Sequence, residues 1–167
     1  MKRNALTFGI AILILLTSAK TKAQDQPQQQ EDQKATFTPD YKFAMGLRFS
    51  NNIPTINTSF NAKYFVTNRS AIEGLISFGN RFGIGGLLEI HNSFQTQGLT
   101  WFYGGGAYVG FQDKNSYVGP MGVIGLDYKF PNVPVNLSLD WKPELDIIPK
   151  VNFVPEAFGL SVRFVVK

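Results

Sequence analysis

The sequence predicts an all-β protein, an eight-stranded antiparallel up-and-down barrel. Three observations carry that expectation. Apolar and polar residues alternate, as where Leu137, Leu139 and Trp141 sit between Asn136, Ser138, Asp140 and Lys142. A period of two is that of a β-strand, whose side chains point to opposite faces in turn. Turn-forming residues separate eight such segments. From Tyr41 onward no helical run competes with them, and none reaches the ~18 apolar residues of a membrane helix.

The first strand, 41–50, sets Phe43, Met45, Leu47 and Phe49 against Lys42, Gly46 and Arg48. After "NNIPT", strand 56–66 sets Phe60, Ala62, Tyr64 and Val66 against Lys63. "TNR" leads to strand 70–79, with Ile72, Ile76 and Phe78 against Glu73. "NR" leads to strand 82–92, with Ile84, Leu88 and Ile90 against Glu89 and His91. "SFQTQG" precedes strand 99–111, where Gly104, Gly105 and Gly106 leave the faces ambiguous and Phe102 and Tyr108 are expected inward. "QDKNS" precedes strand 117–130, with Ile124, Leu126, Tyr128 and Phe130 against Gly119, Gly125, Asp127 and Lys129. Pro120 within it cannot donate a ladder hydrogen bond and reads as a bulge or rim feature. "PNVP" leads to strand 135–142. The long connection "KPELDIIPKVNFVPE" then leads to strand 157–166, with Phe158, Leu160, Val162, Phe164 and Val166 against Gly159 and Arg163.

Which face is inside decides the rest. The apolar face carries no Lys, Arg, Asp or Glu, while the other collects Lys42, Arg48, Lys63, Glu73, Glu89, His91, Asp127, Lys129, Asp140, Lys142 and Arg163 with several glycines. In a transmembrane barrel the first face meets lipid and the second fills the bore. The aromatics fit that choice. With both termini on the periplasmic side, Tyr41, Tyr64, Trp101, Tyr103, Tyr128, Phe130 and Phe164 gather at one end. Phe49, Phe78, Phe82, Phe111, Tyr117, Trp141 and Phe158 gather at the other. Membrane barrels carry such girdles at both interfaces. The competing reading is a soluble, lipocalin-like ligand-binding barrel with the oily face inward. An unbroken apolar lining and a glycine-rich, charge-poor exterior count against it.

The rest of the composition agrees. The net charge is +4, but four of sixteen basic residues (Lys2, Arg3, Lys20 and Lys22) lie in the first 23 positions and all twelve acids lie later. Beyond that segment the balance is 12 − 12 = 0, which leaves no basic surface for nucleic acid. Residues 1–23 read as a secretory signal peptide: a charged start, the apolar stretch "ALTFGIAILILL", and small residues before a cut after Ala23. Residues 24–40 read as a flexible Gln-rich leader, and 41–167 as the barrel. Cysteine is absent and histidine single, so no disulfide, thiolate site or zinc site is expected. No other metal or cofactor site is read from the sequence.

The segments "YGGGAYVGF", "VGPMGVIGLDYKF", "PVNLSLDWKPEL" and "FGLSVRFVVK" resemble the small eight-stranded outer-membrane proteins of the OmpX/OmpA-barrel type, over about positions 41 to 167. The resemblance implies an integral, monomeric protein of the cell outer membrane. It also implies lipid and the barrel insertion machinery as partners, the latter reading a terminal aromatic. Here Phe164 is present, and the chain closes on Val165, Val166 and Lys167.

An eight-stranded bore is just wide enough to be filled by side chains. Asp127, Lys129, Asp140, Lys142 and Arg163 are therefore expected to close an ionic network, with Asp127 and Lys129 beside Asp140 and Lys142, rather than line a large pore. "HNS" offers the one catalytic alternative, with His91 and Ser93 on the same side of a strand. A serine needs a base, and the base an orienting group. The outer-membrane lipid A deacylases are similar in pairing His-x-Ser with a carboxylate, and Glu89 and Glu144 are the carboxylates considered. The preferred reading assigns no catalytic residue and leaves His91 hydrogen-bonded in the interior. Loop 143–156, with Leu145, Ile147, Ile148, Val151 and Phe153, is expected to fold over the barrel mouth, with contact to a surface partner as the alternative. The expected role is structural or surface-interacting.

Overall fold

The computed structural model describes residues 39–50 and 53–166. The expected signal peptide, its cleavage site, and the leader apart from Pro39 and Asp40 lie outside the described residues. Ten strands follow in order: β1 (Phe43–Ser50), β2 (Ser59–Phe65), β3 (Ser70–Phe78), β4 (Phe82–Ser93), β5 (Leu99–Gln112), β6 (Asn115–Lys129), β7 (Val135–Trp141), β8 (Glu144–Asp146), β9 (Asn152–Val154) and β10 (Phe158–Val166). Eight of them, β1 to β7 and β10, form a closed antiparallel barrel, each pairing with its neighbour in sequence and β10 with β1. The short pair β8 and β9 is a hairpin attached to β6 beyond the end of β7. Phe43 pairs with Val166, so the first and last barrel strands share one rim, called basal here; the opposite rim is distal.

The faces fall as the alternation predicts. Leu139 is 55% exposed on the outer wall and Lys142 is 1% exposed in the bore. The outward row of β10, from Phe158 to Val166, is exposed, and its inward row, from Gly159 to Val165, is buried. This is the reverse of what a soluble pouch requires. The register resolves the glycine-rich β5: Phe82 faces Phe111 and Ile84 faces Val109, which turns Phe102 and Tyr108 into the bore, where both are buried.

Stepping from Met45 through Ala62, Gly74, Gly86, Ala107 and Pro120, then across β7 and β10, returns to the line of β1 about ten residues further on. That stagger tilts the strands by about 40°. Tight curvature brings backbones close at Gly106, where a Cβ would lie 1.8 Å from the Gly86 carbonyl oxygen. Pro120 introduces no bulge. It pairs in unbroken register with Ala107, and its missing N–H falls on the β8 side, between the bonds from the Val118 and Gly122 amides.

Three placements depart from the sequence expectation. Tyr41 turns inward and packs edge-on against Phe65 with ring centroids 5.3 Å apart. Tyr117 carries the Arg81 guanidinium 3.3 Å above its ring. Neither therefore joins a girdle. Loop 143–156 does not cover the mouth: Ile147, Ile148, Val151 and Phe153 are all exposed on the β8–β9 hairpin. The distal mouth is filled instead by the segment after β1, with Ile53 and Ile56 buried and Thr55 between them.

Candidate functional site

The bore is where this sequence concentrates its chemistry, because the strand period sends every second residue there. Arg48, Arg163, Lys63, Phe102 and Lys142 are the largest fully buried side chains. The filling has two walls. Leu75, Leu87, Phe102, Tyr108, Met121 and Val123 from β3 to β6, with Ile56, make an apolar cluster. Charges from β1, β2, β3, β4, β6, β7 and β10 pack beside it.

Those charges alternate in sign along one chain. The Arg48 guanidinium meets Asp140 at 2.6 Å. The Lys142 ammonium lies 2.9 Å from Asp140 and 3.1 Å from Glu73. Glu73 also pairs with Arg163 and accepts a hydrogen bond from the Asn61 amide at 2.8 Å. Arg163 reaches Asp127 at 3.5 Å. Asp127 pairs with Lys63 at 3.4 Å, and Lys63 with Glu89 at 2.8 Å. Glu89 closes the chain against His91 Nε2 at 3.0 Å. Four cations and four carboxylates thus compensate one another, with His91 at the end.

Burying an isolated ion costs several kcal/mol, so the remaining lone pairs and protons also need partners. Polar neighbours supply them. Asn136 donates to Asp127 at 2.6 Å, and the Ser138 hydroxyl donates to it as well. Arg48 also donates to the Ile56 carbonyl at 3.0 Å. Space for that guanidinium comes from Gly159, where a Cβ would stand 2.4 to 2.8 Å from it.

One expected network member, Lys129, and one residue of the expected inward face, Lys42, lie elsewhere. Lys129 is buried at the basal rim, where its ammonium donates to the Phe130 and Val133 carbonyls of the β6–β7 turn. Lys42 is exposed beside the Tyr64 ring, 5.6 Å from its centroid; the barrel ladder begins only at Phe43, so alternation no longer controls it. Asp140 faces Gly125, and Asp127 faces Ser138, so a two-residue offset keeps Asp140 and Lys142 from standing beside Asp127 and Lys129 as expected. Lys142, Glu73 and Arg163 bridge the gap.

His91 is fully buried, stacked on Phe102 at 5.0 Å and edge-on to Phe65 at 4.9 Å. Ser93 lies two residues further along β4, on the edge of a pocket of about 300 Å³ at the basal rim, with Tyr41, Thr100 and Asp127. Glu144 stands at the other end of the barrel. Its carboxylate accepts the Ile56 amide at 2.6 Å. The neighbouring Asp146 holds Arg81 at 3.1 Å and accepts from the Tyr108 hydroxyl at 2.8 Å. These contacts pin the Thr55–Ile56 segment into the mouth. Sequence alone missed this plug, although Ile53 and Ile56 in an otherwise polar turn are its trace. Among the described residues, no group of three or more His, Cys, Asp or Glu is placed to hold a metal ion.

Comparison with protein-family models, with curated proteins and with solved structures finds no match to this chain.

Proposed function

We propose that the protein is a small integral outer-membrane barrel of the OmpX/OmpA-like kind, with a structural or surface-interacting role and no open pore. The observation that carries this is the outer wall. The outward positions of the eight barrel strands hold no charged residue, and Phe60, Ile72, Leu88, Ile124, Leu139 and Phe158 are among many that are strongly exposed there. Soluble monomers rarely expose apolar patches beyond a few hundred Å². At ~3.4 Å per residue and a tilt near 40°, the nine residues of β10 give a band about 20–25 Å tall, close to the ~25 Å apolar band of such barrels. Aromatics mark both edges: Trp101 with Tyr103 and Tyr128 with Phe130 at the basal rim, and Phe60, Phe78, Phe82 and Phe111 in a row toward the distal rim. The proposal includes export by the segment 1–23, a monomer, and the barrel insertion machinery and outer-membrane lipid as partners.

The test is cell fractionation followed by gel electrophoresis with and without boiling. The protein is expected in the outer-membrane fraction, soluble only with detergent, and faster-migrating when unboiled. Recovery in the aqueous fraction without detergent would refute the reading. The proposal takes no catalytic group, so His91→Gln and Ser93→Ala are expected to leave the acylation pattern of the membrane lipid unchanged. A changed pattern would establish the lipid A deacylase-like alternative.

A further inference from the structure

We infer that the β8–β9 hairpin is a membrane-seated extension of the barrel wall, its outward face covered by the headgroup and upper acyl region of the lipid leaflet. This rests on the proposal above and concerns a segment that the sequence alone presents as a surface loop. Parity is the first support. Glu144 and Asp146 turn inward and are buried, so Leu145 and Ile147 face out. Phe153 pairs with Leu145, which puts it on the outer side, and Val151 follows by alternation. Val151 is 69% exposed and Phe153 57%, as strongly as Phe158 and Phe164 within the belt.

Continuity is the second. The β8 register prolongs that of β7, where Ile124 faces Trp141 and Met121 then faces Glu144. Trp141 is tied to the hairpin's return by its indole N–H, which donates to the Pro155 carbonyl. The outward row therefore runs from Leu139 and Trp141 through Leu145 to Ile147 without a charged residue.

Height is the third. Val118 bonds to Ile147 and Ile148 and faces Val109, which is two residues below the girdle ring Phe111. Ten residues of stagger over eight strands lift each successive strand by little more than one residue. Two strands on from β5, Ile147 thus stands at nearly the height of Phe111 rather than above it. Finally, Glu144 and Asp146 point into the bore, so within Glu144–Val154 Lys150 in the exposed turn is the one outward charge, with Glu156 exposed where the chain returns to β10. A cation at the end of an apolar face suits an anionic headgroup layer.

The absence of cysteine allows a direct test with single nitroxide labels on the whole barrel, reconstituted in vesicles of phosphatidylcholine and phosphatidylglycerol. Labels replace Val151→Cys and Phe153→Cys, with Leu160→Cys as the belt reference and Asn132→Cys, in the exposed basal turn, as the water reference. Oxygen concentrates in lipid and a nickel chelate in water. Labels at 151 and 153 are expected to show an oxygen-to-nickel collision ratio several-fold above that at 132 and approaching that at 160. A high ratio at 160 with water-like ratios at 151 and 153 would overturn the inference, leaving the hairpin as a surface for a protein partner. A water-like ratio at 160 itself would instead remove the membrane reading, and this inference with it. All four positions are exposed, and unboiled gel migration verifies that each variant is folded.

Discussion

Glu73 is the carboxylate whose loss should damage the interior most. It holds two cations at once, Lys142 at 3.1 Å and Arg163, and also accepts from Asn61. Glu73→Gln keeps the shape and removes the charge, leaving two buried cations sharing compensation with Asp140 and Asp127. Breaking a buried pair from one side costs about 3–5 kcal/mol. Both cations here keep a second carboxylate, so the lower end, about 3 kcal/mol, is expected. Adding Lys142→Met restores the balance: Arg48 with Asp140 remains neutral, as does the set of Arg163, Asp127, Lys63 and Glu89. The double variant is therefore expected to recover at least half of the loss. The assay is urea unfolding of the refolded barrel in lipid vesicles, followed by tryptophan fluorescence and compared through the double-mutant cycle. A single variant within 1 kcal/mol of the wild type would refute the argument. So would a double variant as unstable as the sum of its parts, because either result would mean that the charges do not act as one compensated set.

Three further outcomes follow from particular contacts. Gly106→Ala should cost about 1–3 kcal/mol or prevent folding, since its Cβ would meet the Gly86 carbonyl. Gly86→Ala, with nothing within 4 Å, should change urea stability by no more than about 0.5 kcal/mol. Glu144 accepts the Ile56 amide at 2.6 Å, so Glu144→Ala should speed amide exchange at Ile56 at fixed pH by about tenfold, the loss of a buried bond of ~1–2 kcal/mol; unchanged exchange would contradict the pinning of that segment. In planar bilayers the wild-type barrel should show no sustained conductance, because side chains fill its bore; stable porin-like steps would contradict that filling.

The alternation of Leu137, Leu139 and Trp141 against Asp140 and Lys142 was enough to read both faces of β7, because a strand allows only two side-chain directions. The same rule was silent in β5, where glycines at 104 to 106 carry no polarity to read; only pairing with Phe82 and Ile84 orients that strand. Which cation meets which carboxylate was not legible, because register is a property of two strands together. A two-residue offset separates Asp127 from Asp140, and Glu73 stands between Lys142 and Arg163. Parity lapses where the ladder stops, as at Lys42, and it does not name a partner, as at Lys129, which is buried as alternation predicts but donates to turn carbonyls. The plug at Ile53 and Ile56 depends on a loop meeting a carboxylate nearly ninety residues away, and no local pattern encodes that encounter.

The alternating chain of charges also bears on the order of assembly. Its contacts join residues far apart in sequence: Arg48 and Asp140 are 92 positions apart, Glu73 and Arg163 are 90, and Lys63 and Asp127 are 64. Contacts of such separation form late, after the entropy of closing long loops has been overcome. A sheet that has not yet joined β10 to β1 would hold Arg48 and Glu73 away from their partners on β7 and β10. In an apolar medium that open sheet would carry uncompensated ions as well as unpaired edges. Closing the seam removes both penalties together, so the interior works as a checkpoint that disfavours partly built barrels and makes the final step all-or-none.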